Sequence, residues 1–215
     1  MDINRNIDFT LLRQDAKLED LFALCHDARE NNFRAVCVHP WMVSKADELL
    51  DGTETSVCTV VGFPLGCNLT ETKVEETLSL IKAGAEEIDM VANLSAFFSK
   101  NDSLVQHDIH AVFQVCQDKG VVLKVIIESG LLNLNQVRHI CGICAEVGVD
   151  FVKTSTGFAT VNAEIEKVML MREILPKRIE IKASGGIKTY GDAIKFLGAG
   201  ASRIGTSSLI KNGTA

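Results

Sequence analysis

The sequence predicts a (β/α)8 TIM barrel with a shortened C-terminal helix. Three observations carry that prediction: eight short β-branched runs spread along 215 residues, amphipathic helical patterns between them, and near-regular spacing of the whole. Alternating strands and helices imply parallel strands, which leaves a closed barrel or an open doubly wound sheet. An open nucleotide-binding sheet wants glycines between its first strand and first helix, and NIDFTLLRQDAKLED contains none. The barrel is therefore the expectation.

In chain order the runs are NIDFT, AVCV, SVCTVVGF, EEIDMVAN, VVLKVIIES, VDFVKTST, RIEIKAS and ASRIG. After the first comes DAKLEDLFALCHDARE, where the spacing puts Leu18, Leu21, Phe22 and Cys25 on one apolar face. TETKVEETLSLIKAGA follows the third, with Val74, Leu78 and Ile81 as its expected stripe. Between the fifth and sixth, Val137, Ile140, Cys141 and Cys144 fall at i, i+3, i+4 and i+7. The CGIC pair thus reads as helix core rather than as a redox or zinc half-site. Glycines in KAGAEE, AEVGVD and FLGAGAS suit left-handed helix ends before a strand. After the eighth run only SSLIKNGTA remains, too short for an ordinary closing helix. A partner subunit could cover the surface left bare, so a homodimer is expected.

Hydrophobic residues make up 47% and charged residues 23%, enough apolar content for one sizeable core. With three prolines and no low-complexity linker, residues 1–215 read as a single domain. A net charge of −6 without a basic cluster argues against nucleic acid and anionic membrane as partners, leaving small molecules. No signal peptide or bilayer-spanning run is seen, so a cytoplasmic location is expected. Seven irregularly spaced cysteines do not form a disulfide framework. His107 and His110 lack companion ligands and read as a solvated helix face, so no metal and no cofactor is expected.

Barrel active sites lie at the C-terminal ends of the strands, and the polar residues assigned there are Asp8, His39, Asp89, Glu128, Lys153 and Lys182. Unpaired, each would be costly among apolar neighbours, so they are expected to pair across the barrel. A structural ion-pair cluster would satisfy the same demand. Alternation turns Lys153 inward with Phe151 and Ser155, and gives Lys182 the parity of Glu180. A lysine beside another cation is driven toward its neutral, nucleophilic form, the form that imine chemistry needs. ASGGIKT and IGTSS follow the seventh and eighth strands, where barrels often bind phosphate.

These segments carry a resemblance. IDFTLL, AVCVHP, VCTVVGFPLG, EEIDMVANL, LKVIIESGLL, DFVKTSTGF, IKASGGIKT and RIGTSS, in that order, resemble the deoxyribose-phosphate aldolases, class I Schiff-base enzymes, over nearly the whole chain. The resemblance implies Lys153 as the imine-forming lysine, Lys182 as the lysine that tunes it, and Asp89 with Asp8 as proton-handling groups. It implies Gly185, Gly186, Ser207 and Ser208 for the substrate phosphate, Gly205 beside them, and Thr154 or Thr156 in the pocket. The implied partners are a phosphorylated sugar and aldehydes, with reversible cleavage of 2-deoxy-D-ribose 5-phosphate in deoxyribonucleoside catabolism as the reaction. Phe9 replaces a frequent histidine, and ATVNAEIEK after Phe158 departs from the usual glycine-rich turn. Two alternatives stand beside it: a Schiff-base barrel aldolase of another phosphorylated substrate, and a catalytically silent phosphosugar-binding barrel.

Overall fold

The computed structural model describes residues 2–208. Eight parallel strands close in sequence order: β1 (Ile7–Leu11), β2 (Ala35–Val38), β3 (Ser56–Val61), β4 (Glu87–Val91), β5 (Val122–Ile126), β6 (Phe151–Lys153), β7 (Glu180–Ser184) and β8 (Arg203–Thr206). Closure is made by β8 on β1, with Ile7 opposite Ile204 and Asp8 opposite Gly205. Each predicted run matches one strand, with β1 and β8 running one residue past NIDFT and ASRIG. β6 is the shortest because the chain turns over the rim after Lys153: the Thr154 carbonyl accepts from Ser129 N–H at 2.7 Å, and its hydroxyl donates to the Ser184 carbonyl at 3.0 Å.

The outer ring consists of α1 (Leu18–Glu30), α2 (Val43–Leu50), α3 (Thr70–Lys82), α4 (Leu94–Phe98), α5 (Asp102–Lys119), α6 (Leu134–Val147), α7 (Ile165–Ile174) and α8 (Tyr190–Gly198). Alternate strand residues such as Val36, Val38, Ile88, Met90, Val125 and Val152 pack outward against these helices in one large apolar cluster. In α6, Val137, Ile140, Cys141 and Cys144 are all buried as the spacing required. Asn133 caps its start by accepting from Gln136 N–H, and Gly148 ends it at a φ of 86°. Burial pushes the Cys141 thiol up to about 12, an inert core group.

Two helix faces differ from expectation. In α1 the buried stripe is Leu21, Leu24, Cys25 and Ala28, while Leu18 and Phe22 are 39% and 43% exposed. Leu18 is the first residue of the helix, so the face is set by Leu21 and the later turns. In α3 the buried residues are Lys73, Thr77 and Leu80, and Leu78 faces out. An ion pair takes the inward place there: Lys73 Nζ meets Asp108 Oδ2 of α5 at 2.5 Å and donates to the Val91 carbonyl at 3.0 Å. A hydrophobic stripe cannot report an inward lysine. His107 and His110 are exposed on α5. Among the described residues no helix is long and apolar enough to cross a membrane. The predicted stub helix was placed on SSLIKNGTA, of which residues 209–215 lie outside the described residues.

Candidate active site

Inward-facing residues divide the barrel lumen in two. Between β1 and β3 it is apolar: Leu12, Ala35, Cys37, Cys58 and Val60 form a small cluster of their own with Phe63 packed on it. Toward β4 through β8 it is ionic. Asp89 lies at the centre, with Oδ2 accepting from Lys153 at 2.7 Å and from Lys182 at 2.8 Å, and Oδ1 accepting from Lys124 at 2.9 Å. Because Lys153 and Lys182 share one oxygen, their nitrogens can be no farther apart than the sum of those two distances.

A second layer supports the first. Lys182 meets Asp8 Oδ2 at 2.5 Å, Arg203 donates to Asp8 Oδ1 at 2.6 Å and to Glu87 at 3.0 Å, and Lys124 reaches Glu87 at 2.6 Å. Four buried cations, Lys124, Lys153, Lys182 and Arg203, face three buried carboxylates, Asp8, Glu87 and Asp89. The layer therefore carries surplus positive charge, and charges in such a medium are held only by mutual pairing. Asp8, Asp89 and Lys182 were assigned to strand ends. The structure instead places them in the body of β1, β4 and β7, where long lysine side chains from neighbouring strands can meet.

The electrostatics follow from this crowding. Burial alone would raise Asp89, yet the charges of Lys124, Lys153 and Lys182 hold it well below the ordinary carboxylate value. Burial is outweighed in the same way at Asp8, which Lys182, Arg203 and Lys124 bring down to about 2. For Lys182, burial favours the neutral amine, but Asp8 and Asp89 reverse that and lift it above the usual lysine value. The Cys58 thiol is raised well above its normal value by burial, and donates to Asp89 Oδ1 at 3.2 Å. Cys37, Cys58 and Asp89 bring three ligand-type atoms within 4.8 Å of one another. Lys124 donates to both Cys58 and Asp89, so an ammonium already supplies the positive charge a metal would bring.

Above this layer opens a cavity of about 990 Å³. Of the ionic cluster only Lys153 lines it, together with Thr156, Gly157 and Phe158 after β6, Gly185 to Lys188 after β7, and Gly205 to Ser207 of β8 and its loop. Gly185 and Gly186 have φ values of 95° and 78°, and a Cβ on Gly186 would stand 2.6 Å from the Asn162 side chain. Both glycines line the cavity. The two loops are tied by Thr206, whose hydroxyl donates to the Ile187 carbonyl at 2.8 Å and accepts from Ser208 N–H at 3.0 Å.

The sequence matches the DeoC/LacD family aldolase profile over residues 5–212. The chain belongs to the DeoC/LacD family of aldolases. It is 48% identical to a deoxyribose-phosphate aldolase of Streptococcus pneumoniae over 97% of this chain and 94% of that protein. To one of Ureaplasma parvum it is 47% identical, over 97% and 96%. Among solved structures it resembles the aldolase QR15, with a TM-score of 0.92 and 38% identity over 97% of this chain and 93% of that one. It also resembles the tetrameric deoxyribose phosphate aldolase of Aeropyrum pernix, with a TM-score of 0.89 and 33% identity over 96% and 87%.

For this aldolase the structure brings together Lys153, Lys182, Asp89 and Asp8, and sets Gly185, Gly186, Ser207 and Thr156 on the cavity. Thr154 is not brought there. It is fully buried with its hydroxyl turned to β7, because its position after Lys153 points it out of the lumen. Ser208 does not line the cavity either, since its N–H folds back onto Thr206. Gly205 serves packing as well as lining: a Cβ there would stand 2.8 Å from Ser184 Cβ and 3.1 Å from Lys182 Cε. His39 turns to the Arg13 carbonyl at 3.2 Å, away from the cluster. Glu128, at a φ of 43°, accepts from Thr156 N–H and hydroxyl and pins the chain beyond Lys153. Sequence reasoning missed Lys124, Glu87, Arg203 and Lys188. Of these Lys124 carried a usable signal, an ionisable residue inside the apolar strand run VVLKVIIES.

Proposed function

We propose that this chain catalyses the reversible cleavage of 2-deoxy-D-ribose 5-phosphate to D-glyceraldehyde 3-phosphate and acetaldehyde through an imine on Lys153. The observation that carries the reading is that Lys153 alone joins the buried ionic layer to the cavity. The attacking amine must be neutral, and of the three lysines on Asp89 only Lys153 pairs with no second carboxylate, since Lys182 also meets Asp8 and Lys124 also meets Glu87. Lys153 attacks the C1 aldehyde, and loss of water from the carbinolamine gives an iminium. A proton leaves the 3-hydroxyl, the C2–C3 bond breaks, and its electrons enter the iminium to form an enamine. Protonation at C2 and hydrolysis release acetaldehyde and restore the lysine.

Asp89, kept ionised by its three lysines and out of direct reach of the cavity, takes part in moving the proton through a water and with Lys182, while Asp8 holds Lys182 in place. Gly185, Gly186 and Ser207 offer backbone and hydroxyl donors to the phosphate, and the exposed Lys188 adds a charge at the same end. Anchoring this end spends remote binding energy on aligning the reacting carbon. The relatives named deoxyribose-phosphate aldolase support this substrate. The reading takes the chain as one barrel domain acting in the cytoplasm in deoxyribonucleoside catabolism. It includes a homodimer, to be checked by light scattering.

Borohydride reduction in the presence of acetaldehyde, followed by peptide mass analysis, tests the chemistry. A reduced two-carbon adduct is expected on Lys153. Ligand binding without any adduct would instead favour a silent phosphosugar-binding barrel, and turnover of a different phosphorylated aldol in preference to deoxyribose 5-phosphate would favour a related Schiff-base aldolase.

A further inference from the structure

β6 ends at Lys153, so the lysine assigned to the imine stands where a strand is most free to fray. The hold comes from the residues that follow β5. Ile127 N–H donates to the Lys153 carbonyl at 3.0 Å, and Ser129 N–H donates to the Thr154 carbonyl at 2.7 Å. Between these two donors stands Glu128, whose carboxyl group accepts from Thr156 N–H at 3.2 Å and from the Thr156 hydroxyl. Three consecutive residues of one segment thus grip Lys153, Thr154 and Thr156 of the other. The same two segments also meet farther on, where a Cβ on Gly130 would stand 2.7 Å from the Val161 carbonyl oxygen. Lys167 of α7 fixes the Ser129 carbonyl at 2.8 Å.

Glu128 is a costly residue for this turn. Its φ of 43° and ψ of 58° lie in the left-handed region, where a glycine rests without strain and a glutamate does not. It is also only 5% exposed, and among the described residues its carboxyl group accepts from Thr156 alone. Strained backbone and a buried acid persist only where the surrounding structure enforces them, and the end point of this contact is the cavity. Thr156 and Gly157 line it, as does Lys153, whereas Glu128 does not. The Thr156 hydroxyl has one proton to donate, gives it to Glu128, and accepts from Phe158 N–H at 3.0 Å. Its orientation is thereby settled. The ion pair between Lys153 and Asp89 involves the reacting nitrogen itself, so the backbone grip is what can hold this lysine unchanged through the reaction.

We infer that Glu128 is a positioning residue for the reaction, its strained turn and buried carboxyl group locking the Lys153 end of β6 and the Thr156 wall to β5 as one rigid piece. It acts by its reach and its acceptor oxygens, and its charge is not what the role needs. The inference rests on the imine reading of Lys153. The steps it serves are attack on the substrate carbon and bond cleavage, where a displacement of about 1 Å costs about a hundredfold. The phosphate end is left to Gly185, Gly186 and Ser207, which belong to other loops.

The test measures kcat and KM for cleavage of 2-deoxy-D-ribose 5-phosphate, together with the urea unfolding midpoint, in the wild type, Glu128→Ala, Glu128→Gly and Glu128→Gln. Borohydride trapping of acetaldehyde counts the competent Lys153 sites in each. Glu128→Ala is expected to lower kcat per trapped site about tenfold or more, with KM within about threefold of wild type. Glu128→Gly should lose as much activity yet unfold at a higher urea concentration than Glu128→Ala, because glycine takes the left-handed turn without strain. Glu128→Gln keeps an acceptor oxygen at the same reach and should restore kcat to within about threefold of wild type. A merely structural role predicts that activity follows stability, with the glycine variant more active than the alanine one. That ordering, an unchanged kcat in Glu128→Ala, or a glutamine variant as slow as the alanine one would each overturn the inference, and trapping at Lys153 would leave the imine standing. Should Glu128→Ala fail to fold, a slow glycine variant beside an active glutamine variant gives the same answer. If the wild type is not trapped, the imine reading falls and takes the positioning role with it.

Discussion

Asp89→Asn removes one negative charge and keeps the shape of the side chain. In the wild type that carboxylate accepts from three ammonium groups at 2.7, 2.8 and 2.9 Å with no exposure to water. The variant leaves Lys124, Lys153, Lys182 and Arg203 facing only Asp8 and Glu87. Removing one partner of a buried pair costs about 3–5 kcal/mol, a large share of the roughly 5–15 kcal/mol that holds a domain folded. With a urea slope of about 3 kcal/mol per molar, the unfolding midpoint should fall by about 1 to 1.7 M. The pH dependence has a definite sign. Lys182 is raised in the folded state, so its pairing stabilises the protein fully below the ordinary lysine value of about 10.4 and is lost as pH rises through the higher folded value. Since Asp89 supplies part of that pairing, the gap between variant and wild type should begin to narrow as pH rises above the ordinary lysine value. Urea titrations near neutrality and in this alkaline range measure both effects. A variant within about 1 kcal/mol of wild type at neutral pH would refute the argument that Asp89 is the ionised centre of the layer.

Three further outcomes are expected. Asp8, lowered from 3.8 to about 2, contributes about 2 kcal/mol of stability that is present above its unfolded value and lost as pH falls from about 4 to 2, so Asp8→Asn should flatten the acid limb of the stability curve. Gly186→Ala, strained by its positive φ and by the nearby Asn162 side chain, together with Ser207→Ala, should lower kcat/KM for deoxyribose 5-phosphate at least about tenfold. Their effect on the unphosphorylated sugar should be smaller, and equal losses on both would remove the phosphate assignment. Asp108→Ala strands the buried Lys73 and should cost about 3–5 kcal/mol by urea unfolding, while acetaldehyde trapping at Lys153 persists once the variant is folded.

The sequence by itself determined the alternation of strands and helices, the closed parallel layout and the identity of Lys153, Lys182 and Asp89 as charges in apolar strands. Those signals are local, being carried by periodicity and by the cost of an ionisable group among β-branched neighbours. It also marked the glycine and serine turns after β7 and β8. The α1 and α3 faces were misread because a stripe of apolar residues says nothing about an inward lysine or about where a helix first meets the sheet. Tertiary structure alone decided that Lys124, 35 residues from Asp89 in the chain, and Arg203, 116 residues from Glu87, belong to the same ionic layer. It decided too that Thr156 faces the cavity while Thr154 turns away, since this depends on where β6 leaves its ladder. Phe63 and Phe158 lie in unrelated segments, and only closure of the barrel brings their rings together across its mouth. Strand parity can be counted along a chain, but which charges and rings share the lumen is fixed by strand register and by how far each side chain reaches across it.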